Sequence, residues 1–366
     1  MKSIIQQMAG FRSAVPLIIL SLSFATIVSC KKNQTPTVMA TGNYEQVNLV
    51  ADQSSSGAAH TDPNLINAWG LAISSSGSFF ISSNHGGVST IYDTTGASLL
   101  APIVIPKPGA LSGGAPSGVV FNSTSDFVIT ATGETSKFIF ATEDGTIAAW
   151  SSAGIALIVA DRSSAGAVYK GLTIANDGTG NFIYAANFKG GTIDVFDHTF
   201  AYVSGKTFTD PNIPAGFAPF NVRNINNMLY VTYAMQKGPD NMDDQAGPGN
   251  GYVDIYKPDG TLVSRFASQG SLNSPWGIAA APSGFGAGQN AILISNFGDG
   301  TINVFNQDGT TAGPLKDSNG NTLSINGIWD MSFPVNGEPA GNPNRLFFTA
   351  GPASESHGLF GYLQLK

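Results

Sequence analysis

Cysteine is almost missing from this sequence. Cys30 is the only one in 366 residues, which rules out an intrachain disulfide and any cysteine-based zinc cluster. Histidine is also sparse: His60, His85, His198 and His357 are all there is for an imidazole site. Charged residues make up only 11% of the chain, and the net charge of −7 is spread out, with no Lys/Arg cluster. Phosphate recognition needs concentrated basic side chains, so nucleic acid is not an expected partner. Catalytic signatures are missing as well. Ser117-Gly118 lacks the second glycine and the strand-to-helix setting of a nucleophile elbow, and there is no phosphate loop or H-E-x-x-H. Asp and Glu could supply a glycosidase-like pair, but no spacing places two of them across a scissile bond.

Glycine is plentiful, at 44 residues, with 20 prolines and a 42% hydrophobic fraction. Glycine at this level without a collagen period fits many short strands joined by tight turns, and the apolar content argues against disorder.

The N-terminus reads as a targeting segment. Lys2 and Arg12 flank a polar start, and residues 14–28 form an apolar run shorter than the roughly 20 residues that span a bilayer. The run ends in Ile27-Val28-Ser29-Cys30, which resembles a bacterial lipobox with the lone cysteine at the lipidation position. The alternative is an ordinary signal peptide or an uncleaved anchor. Lys31 follows where the inner-membrane retention pattern would have Asp, so attachment to the outer membrane is expected. This gives a lipoprotein signal peptide at 1–29, a flexible tether at 30–43 and a folded domain at 44–366.

That domain repeats one phrase. Six first-strand anchors fall at Gly70, Gly118, Gly171, Asn221, Gly277 and Asp330, spaced by 48, 53, 50, 56 and 53 residues. In each block the anchor precedes a second apolar strand, a glycine turn, a third strand and a weaker fourth. For blade 2 the second strand is assigned to residues 127–130. Four short antiparallel strands per period of about 50 residues make a propeller blade, so an all-β, six-bladed propeller is predicted. The last block ends at its third strand, and YEQVNLV at 44–50 alternates like a strand. The N-terminal strand is therefore expected to close the ring.

Ser274-Pro275-Trp276-Gly277-Ile278-Ala279 with Ile302-Asn303-Val304-Phe305 resembles the NHL-type propeller repeat. The phrases HTDPNLINAWG at 60–70 and GPGNGYVD at 247–254 are similar to an uncharacterised family of secreted bacterial six-bladed propellers. The resemblance implies fold and address, and no chemistry.

In propellers the first strands line a central channel and ligands bind at one mouth, an analogy from the fold alone. Asn84, Asn187 and Asn296 take equivalent loop positions there. Lactonase-like propellers use such oxygens to hold an ion, and oxygen sets suit Ca²⁺. Asn also recurs wherever a turn needs left-handed geometry. The acidic ligand of the lactonase pattern is missing, its place taken by Ala68 or Trp69. Asp240, Asp243 and Asp244, in the long 235–251 insertion, are further candidates for Ca²⁺, or simply a solvated acidic loop. His85 and His357 lie in comparable loops of the first and last blades, and His60 and Asp62 could join them in a catalytic or metal cluster. Trp69, Trp276 and Trp329 sit at first-strand anchors, either stacking on a sugar or packing between blades. Two functions follow. One is a lipid-anchored binding or scaffold propeller for a protein, glycan or small molecule. The other is a metal-dependent lactonase-like hydrolase or lyase.

Overall fold

The computed structural model describes residues 42–334 and 341–366; the leader, Cys30 and most of the tether lie outside the described residues. Blade 1 is built from Ala68–Ile73, Phe79–Ser83, Val88–Tyr92 and Ile103–Val104. Blade 2 uses Pro116–Phe121, Phe138–Thr142, Thr146–Trp150 and Leu157–Asp161. Blade 3 has three strands, Tyr169–Asn176, Asn181–Asn187 and Thr192–Phe196, with a single bridge from Phe196 to Tyr202 where a fourth would pair. Blade 4 is Phe217–Ile225, Met228–Met235, Gly251–Tyr256 and Leu262–Ser268. Blade 5 is Pro275–Ala280, Ile292–Asn296, Ile302–Phe305 and Thr311–Pro314. Blade 6 takes Ile328–Ser332, Leu346–Ala350 and Leu359–Leu365 from the C-terminus and closes with the N-terminal strand Asn43–Ala51. That last pairing is antiparallel from Tyr44 opposite Leu365 to Ala51 opposite Leu359, so the ring closes as expected.

The middle strands read as continuous apolar runs because both of their faces are covered by neighbouring blades. Phe80 stacks on Phe138 across the wedge between blades 1 and 2, at 3.6 Å, while Phe79 meets Phe347 across the seam with blade 6 at 4.3 Å. Each of the six wedges has its own apolar cluster. The outer turns use one device repeatedly. Asp93, Asp197, Asp259 and Asp308 each accept the backbone N–H two residues on, which pins the hairpin. These bonds favour the charged carboxylate and hold all four aspartates below the usual range, for Asp93 and Asp197 against an opposing effect of burial.

One strand assignment needs correction. Residues 127–130 are not the second strand of blade 2. Val128–Ile129 pairs with Glu134–Thr135 in a small excursion, and Phe138–Thr142 takes the place in the blade. Phe127 has a φ of +62°, outside strand geometry, and FIFAT at 138–142 abuts the Asp144-Gly145 turn that leads directly into Thr146–Trp150. The loop between the second and third strands of blade 2 is therefore 143–145.

The axis also departs from expectation: it is filled. The residue before each anchor points inward, giving Trp69, Ser117, Lys170, Phe220, Trp276 and Trp329. The three tryptophans pack there with Phe188, Phe220 and Phe297. Trp69 stacks on Trp329 at 3.9 Å, and Phe297 stacks on the same indole at 3.8 Å. Only Trp150 lies between blades, near Phe80 and Phe138. The anchors explain how the inner strands come this close. A β-carbon at Gly70 would stand 2.5 Å from the Ser117 carbonyl oxygen, and one at Gly277 would stand 2.6 Å from that of Trp329. The two anchors that are not glycine are buried and hydrogen-bonded. Asp330 accepts from the Leu71 N–H at 2.9 Å and from Arg223 at 2.5 Å, while the Asn221 amide donates to the Trp276 carbonyl at 3.0 Å.

Candidate functional site

Above the aromatic plug, at the mouth formed by the loops between second and third strands, the polar side chains converge on Lys170. Blade 3 places a lysine where four of the other five blades carry an aromatic ring, and its side chain is 2% exposed. The ammonium pairs with Glu143, lies 3.5 Å from Asp243 and sits 5.1 Å from the centroid of the Trp69 ring. The other Glu143 oxygen accepts from the Asn84 amide at 2.9 Å. Asn84 is joined in turn to Asn67 at 3.4 Å, and Asn67 donates to Glu355 at 2.7 Å and accepts from the Trp329 indole at 2.9 Å. One connected network thus links blades 1, 2, 3 and 6 and the long loop of blade 4.

The charges do not balance. Burial pulls Lys170 downward, but Glu143, Asp243 and Glu355 outweigh it and hold the ammonium above its ordinary range. Burial pushes Glu355 upward, Glu143 adds like-charge repulsion, and the Asn67 hydrogen bond pulls the other way. Burial also raises Asp244, next to Asp243. Four carboxyl groups lie around the one buried ammonium, while Lys189 and Lys237 are exposed in loops of the same mouth. The Glu355 loop is conformationally unusual: Ala353, Ser354 and Glu355 all adopt left-handed backbone, with φ of 54°, 54° and 65°. Non-glycine residues held this way are costly and gather at functional loops.

The sequence candidates divide. Asn84 faces the network. Asn187 accepts from the N–H groups of Val168 and Gly190, while Asn296 accepts from the Asn273 N–H and donates to the Thr301 hydroxyl, so each ties its own turn to the segment that enters its blade. Asp243 reaches Lys170, whereas exposed Asp240 accepts from Met242 in its own turn. His85 bonds the Glu355 carbonyl at 2.9 Å, on the rim. His357 instead meets Asp52 at 2.8 Å. His60 and Asp62 line a separate cavity with Val50 and Tyr92. The His/His/Asp cluster is therefore not assembled. Among the described residues, no group of three or more His, Cys, Asp or Glu side chains is placed to hold a metal ion. Of the proposed Ca²⁺ oxygens, that of Asn187 already accepts two backbone N–H groups and that of Asn296 accepts one.

Asn67, Glu143, Lys170 and Glu355 were not on the sequence list. Lys170 had a legible signal, a charged residue at a repeat position otherwise filled by Trp, Phe or Ser. Glu143 was hidden by the misplaced strand in blade 2.

No family model matches the chain. It is 34% identical over 329 residues to "Uncharacterized protein R648" of Acanthamoeba polyphaga mimivirus, covering 86% of this chain and 79% of that protein. It is also 34% identical over 330 residues to "Uncharacterized protein L690" of the same virus, covering 87% and 85%. Among solved structures, a streptogramin B lyase superposes with a TM-score of 0.52 at 15% identity, over 88% of this chain and 97% of the lyase. A gluconolactonase from Xanthomonas campestris gives 0.50 at 16% identity, over 82% and 86%. At these identities the two structures show a shared propeller fold.

Proposed function

This chain belongs to the family of the mimivirus proteins R648 and L690, whose names carry no activity, and from its own geometry we propose that it is a binding propeller. Its ligand site is the mouth above the aromatic plug. The observation that carries this reading is the charge arrangement there: Glu143, Asp243, Asp244 and Glu355 around the buried ammonium of Lys170, on a floor packed by Trp69 and Trp329. Such a pit favours a ligand that brings positive charge or several hydrogen-bond donors, whether a protein side chain, a glycan amine or a small molecule.

Titration with spermidine as a probe cation tests this. Binding should weaken at least about tenfold in Glu355→Gln and fall with added salt, as partly exposed charge interactions do. Equal binding by wild type and variant would refute the mouth as the site.

The N-terminal pattern supports attachment of the domain to the outer membrane through a lipid on Cys30. Cys30→Ser should move the protein to the soluble fraction, and continued membrane retention would count against the anchor. A second reading, a hydrolase or lyase, is favoured by His85 and Glu355 at the rim, where burial raises the carboxyl toward a proton-donating role. Its metal-dependent lactonase form requires Ca²⁺; unchanged melting with chelator and with added Ca²⁺ would eliminate that form.

A further inference from the structure

The cavity that His60 and Asp62 line is not part of the mouth. It measures about 480 Å³, within the usual range for small-molecule pockets, and opens at the seam where the ring closes. Its back wall is the closing strand: Val50 and Ala51 pair in parallel with His60 and Thr61. Gly96 lets that strand come close, because a β-carbon there would meet Val50 at 3.0 Å and His60 at 3.1 Å. We propose that this cavity is a second binding site and that it takes a neutral hydroxylated ring, a simple glycoside, across the closure seam.

Three features of the lining carry the assignment. First, Asp62 is held in place for recognition. One of its oxygens accepts from the Asn64 N–H at 2.9 Å and the Asn64 amide at 2.8 Å, and the other accepts from the Tyr92 hydroxyl at 2.7 Å. A carboxylate has about four acceptor sites, so capacity remains for a ligand hydroxyl. Second, His60 is exposed and its ring makes no hydrogen bond or ion pair among the described residues, which leaves its nitrogens able to donate to or accept from a second hydroxyl. Third, part of the lining is apolar: Leu99 and Leu100 are 46% and 51% exposed, next to Pro102. Polar and apolar parts of one lining match a sugar ring, which has hydroxyls at its edge and C–H groups on its face. Among the described residues the lining holds one carboxylate and neither Lys nor Arg, so an anionic ligand meets repulsion.

Binding here bridges Val50 of the closing strand and the 92–102 segment of blade 1, so it should stiffen the seam. The test is hydrogen exchange and thermal melting of the full chain with methyl glycosides of glucose, galactose and mannose. Glucuronate and glucosamine serve as anionic and cationic comparisons. At least one neutral glycoside should slow exchange in residues 43–51 and raise the melting temperature, with glucuronate at least about tenfold weaker. His60→Ala removes a side chain that nothing in the fold needs, and should weaken binding about tenfold, the factor carried by one ordinary hydrogen bond. Glu355→Gln, which should weaken spermidine binding at the mouth, should leave glycoside affinity at the seam as in the wild type, which separates this site from the first. The proposal is overturned if no neutral glycoside protects the seam, if glucosamine alone does, or if His60→Ala binds as well as wild type.

Discussion

Replacing Lys170 with Met tests whether the mouth is organised around one ammonium. Met keeps most of the hydrocarbon stem against Trp69, so the packing loss should stay below about 1.5 kcal/mol. The electrostatic loss is larger. Removing one partner of a buried ion pair costs about 3–5 kcal/mol, because the other charge is left uncompensated. Glu143 is 23% exposed and Asp243 71% exposed, so water screens both and the lower end applies, about 3 kcal/mol. Lys170→Met with Glu143→Gln should recover most of this, giving a coupling of about 2 kcal/mol in a double-mutant cycle. Urea unfolding at pH 8 and pH 5 is the assay, with an unchanged slope showing that only stability has moved. The loss has a definite pH sign. Without the ammonium, Glu355, which burial already raises, rises further in pKa, so the variant's deficit grows as pH rises through that carboxyl's folded value and shrinks as pH falls below it. A deficit under about 1 kcal/mol, with no coupling and no pH dependence, would refute the idea that the ammonium holds the mouth together.

Two further outcomes follow from named strain and named burial. Ser354→Gly relieves the middle of three left-handed residues; that geometry costs about 1–2 kcal/mol for an L-residue, and glycine's larger unfolded entropy returns part of the gain, so a net stabilisation of about 0.5–1 kcal/mol is expected in thermal melts. A lower melting temperature would show that the turn is unstrained. In blade 4, burial pushes Asp254 up to about 6, although Arg265 and Tyr256 pull it down. The folded value lies above the unfolded one, so this group's stabilisation is complete below about pH 4 and is lost as pH rises through 6, by at most about 3 kcal/mol. Asp254→Asn should flatten the stability profile between pH 4 and 7, and an unchanged profile would place the titration elsewhere.

The fold was legible because propeller blades are made by repetition. Anchors near every fiftieth residue, glycine turns and a spare N-terminal strand leave one ring that closes. The strand error in blade 2 had a local cause: residues 127–130 and 138–142 are both short, aromatic-led and apolar. Pattern alone could not rank them, but the distance to the Asp144-Gly145 turn could. The site was less legible because its residues come from four blades and a long loop, and only the ring closure brings Glu355 to Asn67 across 288 residues of sequence.

Comparing the copies position by position would have recovered much of it. The ring before the anchors reads Trp, Ser, Lys, Phe, Trp, Trp. The large rings belong to blades 1, 4, 5 and 6 and fill the axis, while blades 2 and 3 contribute Ser117 and Lys170. The Ser117 hydroxyl is committed to the Tyr169 carbonyl at 2.7 Å, which leaves Lys170 as the ring's one charged group. A buried ammonium requires acceptors. Those acceptors are the residues in which the mouth loops differ from one another: Glu143 in blade 2 and Asp243 in the insertion, with Glu355 in the closing blade adding its charge nearby. The same substitution that breaks the aromatic ring therefore dictates the chemistry of the loops above it. A relative with an aromatic residue in place of Lys170 should lack the acidic side chains as well; one that keeps them must balance their charge with another cation.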